Sequence, residues 1–345
     1  MHQDKQKRNI SISRSLLVVT VAAAFALGIF IGRGAWLFGL NGDASRMESY
    51  RPEAEDFRYI RQALRHAPSP GGKKNRELKP FRYKINARIE QQIADEAASS
   101  VSLYFRDLDH GNRFGIKEQD LFSPENQLKL PLLIAYFKWA ETNPLVLRKK
   151  LTVTSEQRPE YRFLKPPSVI RQGTAYSVND LLFRMIAYGD NDAYTLLAAN
   201  LPPKRLQAIN KDLYVNYDPS QKADFLSLSS YASLFRVLFN ASYLAEEMSE
   251  KALRDLSRSS FKDGMAAGVP AEVIVATKAG ERIVPGAEEE ELLQLHEFGI
   301  VYHPRRPFLL GISARGTDME ELTEVISDIT SLIYEEVDDQ TAAEE

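Results

Sequence analysis

Segments with strand character stand at the two ends of the globular part of this chain, with a helical stretch between them. That distribution constrains the fold more than any other feature. Val101 to Arg106 alternates apolar and polar residues as a half-buried strand does. Asp109-His110-Gly111-Asn112 is hairpin chemistry, and Arg113 to Ile116 starts the return strand. Strand character reappears only in Val273 to Ala279, Phe298 to Tyr302 and Phe308 to Ala314. The interval carries helical patterns over Leu128 to Thr142, Val178 to Tyr188, Ala193 to Ala199 and Ser229 to Phe239. A helix over Ile85 to Ala97 precedes the first strand, and another over Met319 to Glu335 closes the domain. Strands on both sides of a helical insertion predict an α+β fold, one antiparallel sheet flanked by helices with an all-helical subdomain.

The 345 residues suffice for one large domain or two ordinary ones with appendages. Residues 80–335 are read as the globular domain and 336–345 as an acidic tail. Upstream, Ser15 to Ile31 is uncharged and almost wholly apolar, and Ala35 to Leu40 extends it. This is long enough for a spanning helix, which takes roughly 17–25 residues, and longer than the core of a cleavable signal. An uncleaved anchor over 15–40 is therefore the expectation, with one transmembrane helix ahead of the domain. Lys5, Lys7, Arg8 and Arg14 place the tail 1–14 in the cytoplasm and the rest outside, at a bacterial inner membrane. Residues 41–79 read as a Pro- and Gly-punctuated linker, within which Ala54 to His66 has the spacing of a short amphipathic helix.

A net charge of −3 gives no bulk attraction to nucleic acid. With no cysteine there is neither a disulfide nor a thiolate-ligated metal, and five scattered histidines lack ligand spacing. Neither a metal nor another cofactor is expected.

Chemistry concentrates around residues 122 to 136, FSPENQLKLPLLIAY. A turn ending in Ser123-Pro124 enters an apolar helix with Lys129 one turn inside, the frame of a Ser-x-x-Lys hydrolase. Asn126 occupies the place of the hydroxyl, and an amide is not a usable acyl-transfer nucleophile near neutral pH.

From about Tyr83 to Leu332 the chain resembles the class A β-lactamase family, within the penicillin-recognising serine hydrolases. Phe-Ser-Pro followed by Lys129-Leu130-Pro131 is similar to that family's nucleophile helix. Tyr176 to Leu182, running on to Gly189-Asp190-Asn191-Asp192, is similar to its Ser-Asp-Asn segment. Val275 to Gly280 is similar to its Lys-Thr-Gly strand, with Lys278, Ala279 and Gly280 at the three motif positions. The resemblance implies a β-lactamase/transpeptidase-like fold and a site at Asn126, Lys129, Gly189, Asn191 and Lys278. It also implies an oxyanion hole from the backbone N–H groups of Asn126 and Glu281, where a carboxylate is an awkward neighbour.

The departures are specific. Asn126, Gly189 and Ala279 stand where the family has hydroxyls that attack, relay a proton and anchor the substrate carboxylate. No glutamate for a deacylating water occurs between Asn210 and Ser227; Asp212, Asp218 and Asp224 are the only acids there. Asn126, Lys129, Asp190, Asn191, Lys278, Ala279, Gly280 and Glu281 remain as a candidate ligand site. The expectation is a membrane-anchored pseudoenzyme of the cell envelope that binds a peptidoglycan-like peptide, a β-lactam-like small molecule or a protein partner. A working hydrolase of atypical chemistry and a non-catalytic scaffold are the alternatives.

Overall fold

The computed structural model describes residues 57–61, 79–122, 128–154, 163–213, 226–285 and 291–343. The first helix among the described residues is α1 (Lys79–Ala94), followed by β1 (Ser100–Asp107) and β2 (Arg113–Ile116). The short β3 (Leu121–Phe122) leads to α2 (Lys129–Thr142), followed by β4 (Lys150–Thr152) and β5 (Ala175–Ser177). Next come α3 (Val178–Phe183), α4 (Asn191–Asn200), α5 (Pro203–Asp212), β6 (Leu226–Ser227), α6 (Leu228–Phe239) and α7 (Glu246–Ser257). The strands β7 (Val275–Pro285), β8 (Glu291–Val301) and β9 (Phe308–Gly316) return, and α8 (Met319–Ala342) closes.

The five long strands form one antiparallel sheet in the order β2-β1-β9-β8-β7. The α+β architecture expected from the two strand clusters is thus the one observed. Its two faces follow from strand alternation. Val101, Leu103 and Phe105 of β1 pack with Leu310 and Ile312 of β9 beneath Ile85 and Ile89 of α1 and Ile326, Ile329 and Ile333 of α8. Tyr104, Phe298, Ile300 and Leu309 face the helical subdomain, whose centre is α2. From Leu130 to Phe137 every residue of α2 is buried, so this helix is apolar on all sides. Full burial of each such Leu, Ile or Phe stabilises the fold by about 1.5–3 kcal/mol. Pro131 lies in the first turn, where a missing N–H costs nothing.

Three boundaries differ from the sequence expectation. The closing helix does not stop at Glu335. Val337 and Thr341 stay buried on the stripe of Ile329 and Ile333, so the supposed acidic tail 336–345 is helical to Ala342. The expected linker 41–79 is interrupted, because Phe57–Glu345 forms one compact unit. Residues 57–61 are bent rather than helical, and Ile60 is 4% exposed within the core. The backbone N–H groups of Arg58, Tyr59 and Ile60 all donate to the Glu250 carboxylate at 2.8–2.9 Å, and the Tyr302 hydroxyl donates to Tyr59 O at 2.8 Å. Finally, the helix expected over Val178 to Tyr188 is regular only to Phe183. Arg184–Tyr188 is a π-helical turn. Among the described residues no helix is long and apolar enough to cross a membrane; the Ser15 to Leu40 segment lies outside them.

Candidate functional site

Lys129 is the first residue of α2, and the burial of that helix carries its side chain inside the protein at 2% exposure. A buried ammonium needs acceptors. Lys129 Nζ donates to Gly189 O and to Asn191 Oδ1, both at 2.6 Å. Burial, then the positive charge of Lys278, push its pKa well below the ordinary lysine value, and Asp190 opposes them.

The two acceptors are presented by a shaped segment. Ser177 caps α3 by accepting from Asp180 N–H, and the π turn Arg184–Tyr188 then widens the helix before it ends at Gly189. Such turns recur at functional sites. Gly189 has φ of 76°, the left-handed conformation a glycine adopts at least cost. Asp190 begins α4, accepting from Ala193 N–H at 3.0 Å and from Ile170 N–H at 3.1 Å. Ser260 N–H donates to Ala187 O, which fastens the turn from below.

The opposite wall is β7, an edge strand of the sheet. Lys278 and Gly280 point toward the helical subdomain. Burial holds the Lys278 amine down at about 8, against the pull of Glu297. A Cβ on Gly189 would lie 3.8 Å from Lys278 Nζ, so the two lysines share one neighbourhood. Gly280 is packed under the His296 ring, where any Cβ would run into Nε2. His296 is fully buried, with no hydrogen-bond partner for either ring nitrogen among the described residues, and burial, Lys278 and Arg282 hold its pKa down at about 3. On the other side of the sheet, Glu297 accepts from Thr277 Oγ1 at 2.7 Å and from Met265 N–H at 2.8 Å. Burial raises its pKa to about 7.

Between the walls lies a cleft of about 1270 Å³, bordered by Lys129, Gly189, Asn191, Lys278, Ala279 and Glu281. A strap crosses between the walls. At one end Phe163 and Leu164 donate their backbone N–H groups to the Glu281 carboxylate at 3.1–3.2 Å. At the other, Ile170 N–H is held by Asp190 and Ser168 Oγ accepts from Arg184.

The model of the Beta-lactamase enzyme family matches residues 84–337. The chain belongs to that family. Solved structures agree in fold. The beta-lactamase from Chitinophaga pinensis is similar at a TM-score of 0.62 and 17% identity, over 75% of this chain and 100% of that one. The beta-lactamase from Xanthomonas campestris pv. campestris gives 0.61 and 17%, over 74% and 97%. PBP-A gives 0.60 and 17%, over 74% and 96%. No curated protein matches by sequence.

Set against the family landmarks, the structure brings Lys129, Gly189, Asn191, Lys278, Ala279 and Glu281 to one cleft. Asn126 lies outside the described residues. Asp190 and Gly280 do not border the cleft: Asp190 is a buried helix cap, and Gly280 is covered by His296. Among the described residues the hydrogen-bond acceptors of Lys129 are Gly189 O and Asn191 Oδ1, and Asp190 acts on it through its charge. The sequence reading missed the strap residues Phe163 and Leu164, the buried Glu297 and the unpartnered His296. Alternation along β8 places His296 on the Lys278 side of the sheet and was the available signal for it.

Proposed function

We propose that this β-lactamase-family domain binds a peptidoglycan-like peptide or a β-lactam-like small molecule without acyl-transfer turnover, as a pseudoenzyme of the cell envelope. The carrying observation is Asn126, three residues before a lysine that sits in the family's cleft. Gly189 and Ala279 at two further hydroxyl positions support it. Loss of the nucleophile from a serine hydrolase lowers the rate about a million-fold, roughly 8 kcal/mol of transition-state stabilisation. The cationic wall and the backbone donors do not depend on that hydroxyl, so binding survives its absence. In this proposal Ser15 to Leu40 anchors the protein in the inner membrane, with the domain outside the cytoplasm.

The test uses the full-length protein with a chromogenic cephalosporin and a fluorescent penicillin, beside Asn126→Ser. No turnover and no penicilloyl adduct on the native chain are expected. Either one refutes the pseudoenzyme and favours a working hydrolase. A thermal shift with peptidoglycan fragments that Lys278→Ala removes supports binding, and no shift with any fragment favours a scaffold.

A further inference from the structure

We propose that Lys129 is a nucleophilic amine that condenses reversibly with small aldehydes, a covalent reactivity beyond the non-covalent binding proposed above. The argument starts from donor counting. An ammonium has three N–H donors, whereas a neutral amine has two and a lone pair. Among the described residues Lys129 Nζ has two acceptors, Gly189 O and Asn191 Oδ1. Two N–H groups satisfy both, and the remaining tetrahedral direction is left for the lone pair of a residue that borders the cleft.

Charge points the same way. Among the described residues no carboxylate pairs with Lys129. The ionisable groups that face it are Lys278 on β7 and Asp190 at the start of α4. Asp190 is committed to Ala193 and Ile170 N–H, whereas Lys278 Nζ lies within reach of the glycine whose carbonyl holds Lys129. Desolvation next to a second cation is the environment in which lysine becomes a nucleophile at neutral pH, and the depressed basicity of Lys129 agrees.

The step balances without a further reagent. The amine lone pair forms a C–N bond to the carbonyl carbon as the C=O π pair moves onto oxygen. The two amine protons then leave with that oxygen as water, giving an imine. Once protonated, the imine retains one N–H for Gly189 O or Asn191 Oδ1.

The experiment treats the full-length protein with glycolaldehyde and cyanoborohydride over a pH series and maps the reduced adducts by peptide mass spectrometry. At pH 7, Lys129 is expected to label at least roughly tenfold faster than the exposed Lys149 and Lys204, tenfold being one unit of basicity. Its rate should also level off at a lower pH than theirs. Lys278→Met, checked for native near-UV dichroism, should slow Lys129 labelling and leave the exposed lysines unchanged. Equal rates, a shared pH profile, or an adduct on Lys278 in place of Lys129 overturns the assignment. The penicilloyl assay reports on position 126 and this one on Lys129, so either reading can fail while the other stands.

Discussion

Glu250 collects most of the main-chain donors that attach residues 57–61 to the domain, beside the bonds made by the Tyr302 hydroxyl and Phe239 O, and its removal is open to a graded test. Glu250 is 8% exposed, and its two oxygens collect three consecutive backbone N–H groups. Hydrogen bonds to a charged acceptor contribute about 1.5–3 kcal/mol each when their loss leaves a buried donor unpaired. That sum is not reached here, because the segment can detach and return its donors to water. The loss is then limited to what docking contributes: burial of Ile60, about 1.5–3 kcal/mol, and the net worth of the main-chain bonds, less the entropy of ordering five residues. Glu250→Ala should therefore destabilise the protein by about 2–4 kcal/mol. Glu250→Gln, which exchanges one acceptor oxygen for a donor, should destabilise it by about 1 kcal/mol. Urea denaturation measures both, and hydrogen exchange at the Ile60 amide reports detachment directly. Adding Ile60→Ala to Glu250→Ala should give much less than the sum of the single effects, since both act on one docking event. Additive losses, or a protected Ile60 amide in Glu250→Ala, would refute the reasoning.

Glu297 and Lys278, on opposite faces of the sheet, predict opposite pH slopes. Glu297 titrates at about 7 in the folded protein against an ordinary 4.5, so the native state holds the extra proton and stability falls as pH rises through that window. Lys278 titrates at about 8 against 10.5, so the unfolded chain holds the extra proton and stability rises between those values. Because His296 and Lys129 contribute with the sign of Lys278, the two slopes are read by difference: the stability of the parent relative to Glu297→Gln should fall as pH rises from about 4.5 to 7, and relative to Lys278→Met it should rise above about 8, whereas pH-independent differences would refute the assignment. Glu281→Ala should free the strap, raising hydrogen exchange at Phe163 and Leu164 about tenfold or more while changing global stability by less than about 1 kcal/mol; unchanged exchange would show that the carboxylate does not hold it. Gly189→Ala should lose about 1–2 kcal/mol in denaturant from its left-handed backbone, because ordinary contact distance to Lys278 rules out a steric cause.

The fold was legible because its determinants are periodic. Alternation through Val101, Leu103 and Phe105 placed β1, and the apolar run after Lys129 identified α2. The end of α8 was misread for a physical reason. Glu335, Glu336, Asp338 and Asp339 look like a solvated run, but Val337 and Thr341 continue the buried stripe between them, and Asp338 is engaged by His303 and Arg305. Motif order brought Lys129, Asn191 and Lys278 to one cleft, since each sits in regular structure. What pattern reading did not reach is held by main-chain donors: the strap on Glu281 and the segment on Glu250 depend on which N–H groups a carboxylate meets. Backbone partners leave no periodic trace in side chains.

The pairing of β1 with β9 has a bearing on how the protein is made. Ser99 Oγ donates to Arg315 O across 216 residues, and every rung of that ladder spans a comparable interval. A ribosome adding about 5–20 residues per second needs on the order of 10–40 s to cover that distance. For that time the emerging N-terminal hairpin, whose Phe105 and Phe114 already have Phe81 of α1 to pack on, has no partner strand along its inner edge. That inner edge therefore stays open until β9 has been synthesised.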